Sequence, residues 1–144
     1  MRKYLLPEKG KFYKANLHMH TVFSDGGFTL EQAKEEFMRR GYSIIAFTDH
    51  DVFVPHQELT DENFLAINSV EIHCHTKEKD FGYVKAYHFN LYAKTPDITL
   101  CPVCDIRYVN PPKWVYVDEA HRQVCFEREY SVENMNKLIA LANE

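Results

Sequence analysis

The stretch Asn16 to Gly26, NLHMHTVFSDG, brings two imidazoles and a carboxylate within a few positions of one another. In a strand, residues two apart project to the same face, so His18 and His20 point together while Met19 turns away. That geometry suits two ligands on one metal ion or one phosphate. Asp25 follows in a Ser24-Asp25-Gly26-Gly27 turn. An isolated H-x-H is more often part of an ordinary strand that runs into a hairpin loop, so the rest of the chain has to decide its meaning.

Three further stretches bear on it. Ser43 to Thr48, SIIAFT, is a short apolar run of the kind buried on both faces of a parallel sheet, and Asp49, His50 and Asp51 follow at once. Phe64 to His75 alternates as a third strand, placing Glu71 on one face with Ile67, Ser69, His73 and His75. A carboxylate sharing a strand face with imidazoles needs a partner or a cation. His88 lies near the middle of a fourth strand over Tyr83 to Ala93. The collected candidates are His18, His20, Asp25, His50, Glu71 and His88. Mixed imidazole and carboxylate donors suit zinc, manganese or iron. They exceed the needs of one four-coordinate ion, so two or three divalent ions are expected, with Glu71 or Asp25 bridging. Closely spaced divalent cations generate hydroxide at neutral pH and stabilise attacking and leaving oxygens, the logic of metal-assisted phosphoester hydrolysis. Asp49 and Asp51 read as groups that orient a ligand imidazole from behind.

The elements that must position these residues follow from local pattern. A first core strand is expected near Tyr13 to His18. Thr29 with Gln32 forms a T-x-x-Q capping box, and Leu30, Ala33, Phe37 and Met38 recur at helical spacing before Gly41, a C-terminal cap glycine. Strand, helix and strand within about thirty residues make a βαβ unit, whose strand ends are where α/β enzymes keep their sites. The loop from Val52 to Glu62 is expected to hold at most one helical turn, opening at Thr60 or Asp61, with His56 solvated. Strands three and four, joined by a charged tip at Lys77 to Asp80, are expected to be antiparallel or sequentially neighbouring. Near Glu71, His73, Cys74 and His75 could line the pocket, but they read better as a structural strand end. From residue 94 to 130 the texture suggests a β-hairpin insertion with short strands at Ile106 to Val109, Trp114 to Val117 and Arg122 to Phe126. Ser131 is a plausible N-cap for a last helix with its stripe of Val132, Met135, Leu138, Ile139 and Ala142.

In order and spacing, His18-Met19-His20-Thr21, Ser24-Asp25-Gly26, Thr48-Asp49-His50-Asp51 and then Glu71 closely resemble the PHP (polymerase and histidinol phosphatase) family over roughly Ala15 to Tyr92. The resemblance implies an α/β fold that is part of a distorted (βα)7 barrel around a trinuclear metal site. It also implies phosphoesterase activity on nucleotides, short oligonucleotides or small phosphomonoesters. In that pattern His18, His20 and Glu71 hold one ion, Glu71 and His88 a second, and Asp25 and His50 a third. The family supplies further ligands from later strands. The expectation is therefore a single PHP-like domain, 1–144, incomplete at its C-terminus, or one completed by a homo-oligomer or a second chain. A non-catalytic domain that retains metal is the alternative. An amidohydrolase also begins with H-x-H, but the S-D-G turn and T-D-H-D argue against it.

Composition fits these readings. A chain of 144 residues, 45% hydrophobic and 26% charged, matches one globular domain. Its net charge of -4 offers no long-range attraction for polyanions, so a nucleic-acid substrate would be captured by the site itself. No apolar run is long enough to span a bilayer and no signal peptide is evident, so no membrane partner is expected and the cytoplasm is the default. Cys101, Cys104, His121 and Cys125, spaced C-x2-C then H-x3-C, are compatible with a structural zinc, or else with cysteines that pack as small hydrophobes. Asp118-Glu119-Ala120-His121 spells a helicase box, but no phosphate-binding glycine loop accompanies it.

Overall fold

Thr29 opens the first helix as its side chain predicts. Its hydroxyl accepts from the Gln32 backbone N–H while the Gln32 side chain accepts from the Thr29 N–H, closing the capping box of α1, Leu30–Arg39. At the other end Gly41 takes the left-handed conformation, φ 78°, and two hydrogen bonds, Gly41 N–H to Met38 and Tyr42 N–H to Phe37, complete a Schellman motif. Phe37 and Tyr42 rings meet across it at 5.0 Å. A computed structural model of the protein describes residues 9–76, 85–108 and 127–144.

Helix α1 connects strand β1, Ala15–Met19, to β2, Ile44–Phe47, and the two strands pair in parallel. Strand β3, Leu65–His75, is long enough to serve two neighbours. Its first half, Leu65 to Asn68, pairs in parallel with β2, and its second half, Ser69 to His75, pairs antiparallel with β4, Ala86–Tyr92. The order is β1-β2-β3-β4. The outer strands nevertheless touch: the Tyr92 hydroxyl donates to the Leu17 carbonyl at 2.8 Å, and the Asn90 amide meets His18 at 3.1 Å. The fold is thus mixed α/β with a sheet curled into a half-barrel.

The even-numbered residues of β3 supply the core. Ala66 joins Ile45, Phe47, Phe64 and Leu59 beneath Leu30 and Ala33 of α1. Val70, Ile72 and Cys74 pack with Phe53, Val103, Cys104 and Leu138, the last from α2, Val132–Leu141, which Ser131 caps through Asn134 N–H. The odd-numbered residues face inward, and cross-strand pairing sets Glu71 opposite Asn90 and His73 opposite His88. Hydrophobic burial on one face therefore orients the polar face. Among the described residues no helix is long and apolar enough to cross a membrane.

Three local expectations are corrected. The single helical turn is a 3₁₀ turn at Gln57–Leu59 that ends at Thr60 instead of starting there; Thr60 is extended and its hydroxyl accepts from Ala66 N–H. His56 is buried, not solvated. Its N–H donates to Asn68 Oδ1 at 2.8 Å, and its ring stacks on Phe23 and meets the Phe47 edge. The first strand of the expected hairpin is a 3₁₀ turn, Ile106–Tyr108, because Asp105 receives the Arg107 N–H on its side chain and the Tyr108 N–H on its carbonyl. The other two strands of that insertion, with His121 and Cys125, lie outside the described residues.

Candidate metal centre

Strand β1 delivers His18, and His20 follows it with the same projection; their Nε2 atoms stand 3.0 Å apart. A register shift between Asn16 and Met19 marks an irregularity just where these side chains must be aimed. Thr48 occupies the gap: its hydroxyl accepts from Met19 N–H, and its own N–H donates to the Met19 carbonyl. The chain beyond β2 keeps running beside β3, with Glu71 N–H donating to the Asp49 carbonyl and Asp51 N–H to the Glu71 carbonyl. This bridge fixes His50 next to Glu71. Asp51 has a positive φ of 58°, an uncommon conformation for a residue with a side chain, and it is held there by contacts on both sides.

Glu71 is the centre of the arrangement, its side chain only 3% exposed. Oε1 accepts from His88 Nδ1 at 2.8 Å. Around Oε2 stand His20 Nε2 at 2.9 Å, His50 Nδ1 at 3.1 Å and His18 Nε2 at 3.5 Å. None of these three makes a directed hydrogen bond to it: Oε2 and His50 Nδ1 are both buried without a partner. Three nitrogens crowded on one orphaned carboxylate oxygen would be satisfied by a cation among them. The triangle of His18 Nε2, His20 Nε2 and Glu71 Oε2, with sides of 3.0, 2.9 and 3.5 Å, fits one ion. Ligand atoms at about 2.1 Å from a metal lie roughly 3.0 to 3.4 Å from each other in octahedral or tetrahedral geometry.

Among the described residues three groups could hold a metal ion: His18, His20 and Glu71; His20, Asp25 and His50; and His50, Glu71 and His88. All six candidate residues are thus brought together at one edge of the sheet. Asp25 is the most exposed of them, at 67%; its Oδ1 pairs with His20 Nδ1 at 2.8 Å while Oδ2 faces His50 Nε2 at 3.8 Å. Burial raises the Glu71 carboxyl, but the His88 hydrogen bond and the charges of His50, His88 and His18 outweigh it and hold the group below its ordinary range. Asp25 shows the same balance, with burial opposed by His20 and His50. Burial lowers His50, against the pull of Glu71 and Asp25, which favours the neutral ring that a metal ion needs.

The two aspartates that flank His50 do not touch a candidate ligand ring. Asp49 is buried and holds the Thr21-to-Ser24 loop: Oδ1 accepts from Thr21 N–H at 2.8 Å, Ser24 N–H at 3.1 Å and the Ser24 hydroxyl at 2.6 Å, and Oδ2 accepts from the Thr21 hydroxyl at 2.8 Å. It places Asp25 through the backbone. Asp51 pairs with His73 Nδ1 at 2.9 Å and with the Arg128 guanidinium. His73 therefore lines the inner face beside His88 and is more than a strand end. Arg128, which no motif flags, is fully drawn in: it also donates to the Val103 carbonyl at 3.0 Å and lies over the Tyr108 ring.

A curled α/β sheet with mixed imidazole and carboxylate donors at the carboxyl ends of its parallel strands defines the class of site. The PHP domain family matches over residues 16–144, and the chain belongs to that family. It is similar to the DNA polymerase/3'-5' exonuclease PolX of Bacillus subtilis, 39% identical over 41 residues that make up 28% of this chain and 7% of that protein. It is also similar to a phosphoribosyl 1,2-cyclic phosphate 1,2-diphosphodiesterase of Eggerthella lenta, 47% identical over 36 residues, 25% of this chain and 14% of that one. The matched segments thus span small parts of both relatives.

Proposed function

We propose that the chain is a single metal-dependent phosphoesterase domain, part of a distorted (βα)7 barrel with an insertion at 94–130, whose centre uses His18, His20, Asp25, His50, Glu71 and His88 as ligands for two or three Zn, Mn or Fe ions. The observation that carries this reading is the crowding of three imidazole nitrogens on the unpartnered Oε2 of Glu71. Divalent cations held there would supply Lewis acidity toward a phosphate ester and activate water. The chain's own residues do the rest. Asp25 holds the Nδ1–H of His20, which leaves Nε2 as a lone pair toward Glu71. The Asn90 amide nitrogen stands 3.1 Å from His18 Nδ1; turned by 180°, the same amide would offer its oxygen, now buried without a partner, to the His18 Nδ1–H and fix that ring in the same way.

The names of both relatives describe cleavage of phosphate esters, one an exonuclease and the other a cyclic phosphate diphosphodiesterase, and this favours a phosphodiester, in a small molecule or a short nucleic acid, over an amide. The described cysteines are free thiols, in keeping with a cytoplasmic setting. A homo-oligomer or second chain that contributes to the site belongs to the same proposal. The test is hydrolysis of bis-p-nitrophenyl phosphate, p-nitrophenyl phosphate and p-nitroacetanilide by chain loaded with Mn, Zn or Fe, across protein concentrations. Ester cleavage that disappears in His20→Ala supports the reading. Amide cleavage, or ester cleavage unchanged in His20→Ala, overturns it.

A further inference from the structure

Cys101-Pro102-Val103-Cys104 forms a turn away from the metal centre. The Cys104 N–H donates to the Cys101 carbonyl at 3.2 Å, and Pro102 occupies the second position that such turns prefer. A β-turn brings its end Cα atoms within about 7 Å, which overlaps the roughly 4.4 to 6.8 Å that a disulfide spans. The two thiols differ in access. Cys104 is buried against Val70, Ile72 and Leu138, whereas Cys101 is part-exposed and lines an open groove of about 220 Å³ with Phe53, Leu91, Ala93, Leu100 and Ala142.

We propose that Cys101 and Cys104 form a thiol–disulfide exchange site for low-molecular-weight disulfides entering this groove, with Cys101 as the attacking sulfur and Cys104 as the resolving one. The hydrogen bond from the Cys104 thiol lowers Cys101 against the effect of burial, with Arg128 contributing, while the same bond and burial raise Cys104. The outer sulfur is thus the readier of the two to lose its proton. The Cys101 thiolate attacks one sulfur of RSSR, forming Cys101–S–SR and releasing RS⁻. Cys104 then loses its proton to water and attacks the Cys101 sulfur, expelling the second RS⁻. Two cysteine thiols are oxidised to one disulfide, and RSSR is reduced to two thiols once the released thiolates take up protons.

The turn is not isolated. The Val103 carbonyl between the two cysteines accepts from Arg128, whose other nitrogen pairs with Asp51, the residue after His50. That carbonyl sits inside the turn the bridge would close, and a single buried guanidinium ties it to the metal-site loop. This coupling rests on the metal-centre reading above, whereas the exchange site does not.

The experiment treats the full chain with 2-hydroxyethyl disulfide in chelator, blocks free thiols and maps the peptides by mass spectrometry. A bridge between Cys101 and Cys104 is expected in the wild type, a trapped mixed disulfide on Cys101 in Cys104→Ser, and an unreacted Cys104 in Cys101→Ser. A bridge through Cys74 or Cys125, a mixed disulfide on Cys104 in Cys101→Ser, or zinc that co-purifies with the wild type and is lost in both variants overturns the proposal. The last outcome would mark a structural metal site instead. Mn²⁺ affinity by calorimetry should differ between reduced and bridged chain by about fivefold or more. Equal affinities would refute the coupling, independently of the mapped bridge.

Discussion

Replacing Asp49 by Asn separates the scaffold from the ligands. The side chain is buried and keeps its shape, but its charge is removed from four hydrogen bonds that fasten the Thr21-to-Ser24 loop. Hydrogen bonds to a charged group are worth about 1.5 to 3 kcal/mol and neutral ones about 0.5 to 1.5, so each bond loses about 1 kcal/mol. The Thr21 hydroxyl can rotate to accept from the new amide, which leaves the three donors on Oδ1 to carry the loss, about 3 kcal/mol in all. Against a typical stability of about 5 to 15 kcal/mol this is a large fraction. Urea unfolding in chelator, which removes any stabilisation by bound metal, should show a lower midpoint with an unchanged slope. Asp25→Asn is the matched control: Asp25 is exposed, so the metal-free chain should lose under about 1 kcal/mol while its metal affinity falls. A loss below about 1 kcal/mol for Asp49→Asn, or equal losses for the two variants, would refute the division of roles.

Three other perturbations test the surrounding structure. His56 stays neutral in the folded chain down to about pH 4 because burial disfavours its charge, whereas an unfolded histidine protonates near 6.5; the unfolded chain then binds more protons between those values, so about 3 kcal/mol should be lost on going from pH 7 to pH 4. Unfolding curves for His56→Leu in chelator should show a shallower pH dependence, and an identical one would refute the assignment. A Cβ on Gly26 would lie 2.1 Å from the His20 carbonyl oxygen, while one on Gly27 meets nothing within 4 Å. Gly26→Ala should therefore cost about 2 kcal/mol or more in thermal unfolding and Gly27→Ala little, and similar effects would count against the close packing of this loop. Asn90→Leu should weaken metal binding about 10 to 100-fold in calorimetric titration, and unchanged binding would show that Asn90 does not orient His18.

Much of the site could be read directly from the residues. The inward projection of His18, His20, Glu71 and His73 follows from a period of two, and the position of Asp49-His50-Asp51 follows from an apolar strand that ends at Phe47. The α1 capping box needs only Thr29 and Gln32. What escaped depends on distance along the chain. The Asp49 carboxylate is claimed by donors 25 to 28 residues earlier, and Asp51 by an arginine 77 residues later. His56 reads as polar punctuation beside Pro55 until Asn68 and Phe23 enclose it. At Ile106–Tyr108 the β-prone residues mislead, because the preceding Asp105 offers the backbone a tighter alternative.

The central claim is that Glu71 is a carboxylate shared among metal-binding imidazoles. It is tested most directly by metal content and Mn²⁺ titration of the purified wild type beside Glu71→Gln, a change that keeps the shape of a side chain only 3% exposed while removing its charge. The wild type should hold stoichiometric transition metal, and Glu71→Gln should lose at least about a hundredfold in affinity. A wild type that binds no transition metal, or a Glu71→Gln chain that binds as much and as tightly, would contradict it.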